Sequence, residues 1–303
     1  MPCGARQGGA FGLSEEFFYG GQAVIEGVMM RGRRSIAIAV RRPDRTVVVN
    51  RQPIGTLTAK YPALRLAFVR GVVAFFETLV VGVRALMFSA DQAAGEGEDE
   101  KLKPWELTLT LLLSLAVFVA LFIVLPNLVA VILQRWLASP VAVNLAEGVF
   151  RLLVFLGYII VVSRLRDIQR VFQYHGAEHK VIHSFEAGED LVVENARRHS
   201  TLHPRCGTAF LLIVMIIMVL MFSLLGRTSL VLRIATRLAL LPLVTGVSYE
   251  VVRLAGRRNP PKIVELAIAP GLWLQRLTTR EPDDAQLEVA IAALKDVLEV
   301  DGV

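Results

Sequence analysis

The 303-residue chain carries 33 Lys and Arg against 27 Asp and Glu, a net charge of +6, and 54% of it is apolar. With a mean hydropathy of +0.54 and its apolar residues gathered in long runs, it reads as a membrane protein and not as a soluble globular one. The positive balance fits a positive-inside bias and attraction to anionic lipid better than nucleic-acid binding, and Cys3 and Cys206, the two cysteines, make no disulfide framework.

Residues 1–20 are Gly-rich and lack an apolar stretch, so no cleavable secretory signal is expected. The string Gly20-Gly-Gln-Ala-Val-Ile-Glu26-Gly-Val-Met-Met-Arg31-Gly32 follows. Its glycines permit close backbone approach. Glu26, its only carboxylate, either pairs with an arginine such as Arg31 or adds a ligand to the histidine site below. The spacing of a dinucleotide-binding fingerprint is absent. Ser35–Val40 and Thr46–Val49 flank a Pro-Asp turn at Asp44 and read as a β-hairpin. Residues 1–60 are thus expected to be a cytoplasmic region whose hairpin packs on other cytoplasmic parts.

Pro62 to Ser89 reads as a helix, apolar over 72–88 but interrupted by Glu77 and Arg84, which are expected to pair. If it crossed the membrane, the basic N-terminal region would lie opposite the histidine segment. It is therefore read as interfacial or re-entrant, with Arg65, Arg70 and Arg84 snorkelling to headgroups. With the acidic link Asp91–Glu100 it makes up residues 61–106. Four runs suffice to cross hydrocarbon about 30 Å thick: Leu107–Leu133 and Val143–Ser163 within 107–163, and Gly207–Leu225 and Leu230–Leu254 within 207–256. Pro126, Asn127 and Pro242 interrupt them as kinks, and Glu147, Arg151, Arg233 and Arg237 must face protein, water or headgroups. Fourteen Lys and Arg precede the first span, seven lie between the second and third, and seven follow from Arg253. The opposite connections hold few, which places both termini and residues 164–206 on the cytoplasmic side of the inner membrane.

All five histidines fall between His175 and His203. Leu165–Ala187 reads as a helix continuing out of the second span and ending at Gly188. Within it, His175-Gly-Ala-Glu178-His179 has the H-x-x-E-H order, two imidazoles one turn apart on one face with a carboxylate beside them. His183 lies about 12 Å along the axis from His175, so one ion cannot take all three. The expected site is His175, His179 and His203 with water as the fourth ligand, and His183 with Glu186 suits a second ion or a supporting role. Asp190–Glu194 reads as a short strand and Asn195 as the cap of a brief helix. Cys206, at the mouth of the third span, is a ligand or a small buried residue. In the tail, 257–303, a turn at Thr278–Pro282 precedes a helix from Asp283. Its stripe of Leu287, Ala290, Ile291, Leu294 and Leu298 packs on the cytoplasmic part or on a second copy, as a homo-oligomer.

The Gly20–Gly32 string, Tyr174-His-Gly-Ala-Glu-His-Lys180, Leu202-His-Pro-Arg-Cys-Gly-Thr208 and Pro270-Gly-Leu-Trp-Leu-Gln275 together resemble the signatures of the YqhQ-like family (domain of unknown function 1385), bacterial multi-pass membrane proteins. The resemblance covers nearly the whole chain. It implies metal dependence, carried by His175, Glu178, His179, His203 and Cys206 with Glu26 as a further candidate, while His199 lies outside the strings. The expected fold is mainly α: a four-span helical membrane protein with a small cytoplasmic α+β part. The expected function is a hydrolase with Zn²⁺ or another divalent ion, Glu178 acting as general base on water, and a lipid headgroup or membrane-proximal peptide as substrate. The alternatives are a scaffold with a structural ion and a metal transporter, which would want polar ligands deep in the spans.

Overall fold

The computed structural model describes residues 19–55, 61–94, 104–226, 230–255 and 261–303. Cys3, the Gly-rich start and most of the acidic link lie outside the described residues. Four strands, β1 (Gly20–Val24), β2 (Gly27–Arg31), β3 (Ser35–Arg41) and β4 (Val47–Pro53), form an antiparallel meander in sequence order. The expected hairpin is its β3–β4 pair, with Val40 opposite Val48. Its turn is held by Asp44, whose carboxylate accepts from the Thr46 N–H and hydroxyl at 2.9 and 2.7 Å. The β1–β2 hairpin was not anticipated. It closes through Ile25 and Glu26, the latter at φ 51°, a short turn of the kind that requires positive φ.

Both faces of the sheet are covered, which is why β2 and β3 are apolar throughout instead of alternating. One face (Val28, Met30, Ala37, Ala39) packs against Tyr174, Ala177, Leu294 and Val297; the other (Val24, Met29, Ile36, Ile38, Val40) packs against Ala85.

The helices are α1 (Val69–Ala93), α2 (Pro104–Val119), α3 (Leu125–Leu133), α4 (Pro140–Val162), α5 (Arg166–Glu186), α6 (Val193–Arg197), α7 (Gly207–Ser223), α8 (Leu230–Ala255), α9 (Lys262–Thr278) and α10 (Asp284–Asp301). A π turn, Ala120–Val124, joins α2 to α3 just ahead of Pro126. The Asn127 side chain donates to the Ile123 carbonyl at 2.8 Å, so the chain absorbs the proline without breaking the rod.

Among the described residues, four helical stretches are long and apolar enough to cross a membrane: Val69–Ala93, Thr108–Leu133, Pro140–Val162 and Val231–Leu254. Their identity differs from expectation in two places. The run expected as the third span forms α7, 17 residues long, about 25 Å at 1.5 Å per residue. The stretch read as interfacial forms α1, which reaches spanning length. Yet the second half of α1 is committed to the sheet: Ala85 enters the sheet's core, and Ser89 Oγ accepts from the Ile25 N–H at 3.2 Å. Its first turn is tied to α8 by Arg70 and Glu250 at 2.8 and 2.7 Å. The outward residues Phe76, Leu79, Val80, Val83 and Met87 are exposed. The expected Glu77–Arg84 pair is replaced by Glu77 with Arg31 at 3.5 Å.

Three further expectations are corrected. α4 does not run on into α5, because the chain turns at Ser163–Leu165 and the Ser163 carbonyl accepts from Gln169 at 3.2 Å. Asp190–Glu194 forms no strand, and Asn195 lies inside α6, its side chain donating to the Asp190 carbonyl, while Val192 occupies the cap. The tail helix α10 starts at a reciprocal Asp283–Gln286 capping box. Its apolar stripe is covered within this chain by the sheet and α5. Among the apolar helices, Glu147 is 1% exposed and accepts from Arg151 at 2.7 Å and from Arg237 at 2.5 and 2.6 Å, so these charges face protein.

Candidate metal centre

Helix α5 sets the His175 and His179 rings 4.4 Å apart between centroids, as four-residue spacing dictates. The Nδ1–H of His175 donates to the Thr278 carbonyl at 2.8 Å, and that of His179 to the Thr201 carbonyl at 2.5 Å. A carbonyl oxygen only accepts, so both rings keep their proton on Nδ1 and present the Nε2 lone pair. They face Cys206, whose Sγ lies 3.2 Å from His175 Nε2. One ligand atom from each of His175, His179 and Cys206 lies within 4.8 Å of the others. Burial pushes the His179 imidazole below its usual range, which favours the neutral form that ligates a metal.

Two other strings deliver these partners. Gln275 clamps His203 from both sides, accepting from its N–H and donating to its carbonyl, each at 2.8 Å; this fixes the turn that ends in Cys206, the N-cap of α7. Lys180, 4% exposed, donates to the Arg197 and His199 carbonyls at 2.8 Å and pairs with Glu281 at 2.5 Å, holding the loop that supplies the Thr201 carbonyl. Gly176 is required because a Cβ there would run into the Arg280 carbonyl. Gln275 and Lys180 were not singled out as site residues, although each closes one of the recognisable strings.

Glu178 points away from the solvent and is 6% exposed, with the Gly21 N–H donating to its Oε1 at 2.9 Å. Burial raises its carboxyl above the ordinary range, while His175, the Gly21 N–H and His203 pull it back. A Cβ at Gly21 would strike the Met29 carbonyl and crowd the Glu178 carboxyl carbon, so a side chain there forces the strand to shift. The glycine-rich string thus serves the site through its backbone.

His203 does not join His175 and His179 as expected. Its ring sits 4.7 Å from that of His183 and 5.6 Å from that of His179, and His183, Glu186 and His203 form a second donor group. That group is differently wired. Arg205 grips Glu186, and the Arg205 N–H donates to His203 Nδ1 at 3.3 Å, which leaves the proton on His203 Nε2, a buried atom with no hydrogen-bond partner. Burial takes the His203 pKa down to about 4. His183 donates through Nε2 to the Leu202 carbonyl at 2.9 Å. Glu26 belongs to neither group. It pairs with Arg170 instead of Arg31 and meets the Tyr174 hydroxyl at 3.4 Å. His199 pairs with Glu189 at 2.9 Å.

The first group, and His203 of the second, border a cavity of about 760 Å³. His175, Glu178, His179, His203 and Cys206 line it, together with Phe75, Leu79 and Val83 of α1, Phe210 and Leu211 of α7, Tyr249 and Val252 of α8, and Arg31, Arg205 and Arg253.

The pattern of the family described as "Protein of unknown function (DUF1385)" matches residues 66–300. The chain belongs to this family. It is also 38% identical over 295 residues to "Uncharacterized protein YqhQ" of Bacillus subtilis (strain 168), covering 93% of each chain. No solved structure matches it.

Proposed function

We propose that this protein is a metal-dependent, hydrolase-type enzyme of the bacterial cytoplasmic membrane, working at the cytoplasmic face on a lipid-like substrate. One observation carries the reading: two imidazoles, each held by a backbone carbonyl with its lone pair free, meet a thiol on the border of a cavity whose walls are largely apolar. This donor set fits a single zinc or similar ion better than a hard cation, which would seek oxygen ligands. His175 and His179 would hold it through Nε2 and Cys206 through Sγ. Such an ion supplies a water that ionises near neutral pH.

Glu178, kept from solvent and biased toward proton uptake by its burial, is the carboxylate that would serve as general base and then general acid beside such an ion. Gly21 holds the carboxylate in place throughout. α1 lies along the membrane surface, its exposed Phe76, Val80 and Met87 in the acyl region, so that the cavity beneath it is fed from the bilayer. The basic segments flanking the apolar helices support a cytoplasmic position for this lobe and both termini. The apolar walls favour a lipid headgroup substrate over a membrane-proximal peptide.

The test is incubation of the purified protein with extracted bacterial lipids, followed by mass spectrometry of the products. Wild type should release headgroup fragments, and Glu178→Gln should retain its zinc while slowing release by about 10²-fold or more. Retention of both zinc and activity in the variant would replace this reading with a structural metal on a scaffold.

A further inference from the structure

A second polar centre lies among α3, α4, α7 and α8, where the histidine chemistry has no part. Arg151 and Arg237 share the single carboxylate of Glu147, and Arg233, 6% exposed, adds a positive charge one turn before Arg237. The Arg151 and Arg237 side chains are nine-tenths buried, and the Nε atom of each lacks a hydrogen-bond partner. The remaining contacts of these groups are weak acceptors: Met218 Sδ at 3.6 Å from Arg151, and Asn127 and Asn144 at 3.4 and 3.5 Å from Arg237, which also stacks over Phe222 at 5.2 Å. Positive charge in excess of negative, held among hydrocarbon, is costly unless an anion completes it.

Both guanidiniums border a cavity of about 740 Å³ whose other walls are almost entirely apolar, among them Val117, Phe122, Phe155 and Met215. On α7 the lining runs from Leu211 to Phe222, about 16 Å along the helix axis, close to half of a hydrocarbon core of about 30 Å. That is the depth of one leaflet, and so of one acyl chain.

We infer that this cavity binds a single-chain anionic amphiphile of the fatty-acid type, its carboxylate on Arg151 and Arg237 and its chain along α2 and α7. The inference rests on the helices being membrane-embedded, but not on the metal chemistry. One acyl chain suits the length of the α7 lining, and one carboxylate would offset the charge that Glu147 leaves uncompensated on Arg151 and Arg237, whereas a cationic or uncharged amphiphile would leave the arginines as they are.

The experiment titrates the detergent-purified full chain with palmitate, by displacement of a fluorescent fatty acid, beside hexadecanol of equal chain length. Palmitate should bind at least about tenfold more tightly, the worth of a charge-assisted hydrogen bond. Arg151→Gln, which removes one of the two guanidiniums that would meet the carboxylate, should erase that preference, and Arg151→Lys should restore most of it. Val117→Trp, which fills the groove without touching a charge, should weaken both ligands, and His179→Ala should change neither. Equal binding of palmitate and hexadecanol, or a preference unmoved by Arg151→Gln, would overturn the inference and leave the arginines as a purely structural cluster. Carbonate extraction of membranes tests embedding separately: release into the wash would refute membrane insertion whatever the titration gives.

Discussion

His175–His179–Cys206 and His183–Glu186–His203 are neighbours cut from the same helix and the same returning loop, and they differ in what engages their other polar atoms. In the first, backbone carbonyls take the Nδ1 protons and leave two lone pairs and a thiol facing one another. In the second, Arg205 occupies the carboxylate and a backbone N–H occupies His203 Nδ1. Donor identity and spacing alone would rate both as metal sites. The hydrogen bonds behind the donors separate a group whose two Nε2 lone pairs are turned toward one thiol from one whose His203 lone pair accepts a backbone N–H and whose carboxylate is held by Arg205, because a nitrogen lone pair already engaged, or a nitrogen that carries its proton, cannot also bind a cation.

The sharpest way to break this contrast is a pair of substitutions one turn apart. His179→Ala should reduce the zinc content of the purified protein from near stoichiometric to background, while His183→Ala leaves it close to wild type, as elemental analysis will read. Equal loss from both would mean that one site draws on both groups. A smaller effect is expected from Arg205→Ala. With Glu186 released, the second group should gain a weaker ion, seen as additional zinc at high metal concentration.

Acidity probes the same difference. His203 has a folded-state pKa of about 4 against an ordinary value of 6.5, so the unfolded chain binds its proton first as pH falls. The associated stability is complete above pH 6.5 and is lost on acidification toward pH 4. Melting temperature in detergent should therefore fall across that window, and His203→Gln should flatten the slope. The smallest effect should come from Gly21→Ala. Crowding at Met29 and Glu178 costs about 1–3 kcal/mol, read as a lower melting temperature with zinc retained.

Much of the scaffold was legible from local pattern. The long apolar runs, the β3–β4 hairpin, the cap and stripe of α10 and the shared face of His175 and His179 all follow from periodicities of 3.6 and 2 residues, which a stretch of chain carries by itself. α1 was less legible, because its composition satisfies a span while Ala85 and Ser89 bind it to the sheet, a contact between segments far apart in the chain. The β1–β2 hairpin was hidden because glycines blur the alternation that marks a strand.

By itself the sequence determined that the chain is rich in membrane-length apolar helices, that its histidines gather in one polar segment, and that two of them share a helical face. Tertiary structure decided that Cys206 and not His203 completes their group, that Glu178 is held by the Gly21 backbone, and that Glu26 is committed to Arg170. The division has a physical cause. Side-chain direction along a helix is set by backbone geometry within a turn or two, whereas which loop returns to meet it depends on long-range packing, and on main-chain carbonyls and amides that every residue carries and no residue letter reveals.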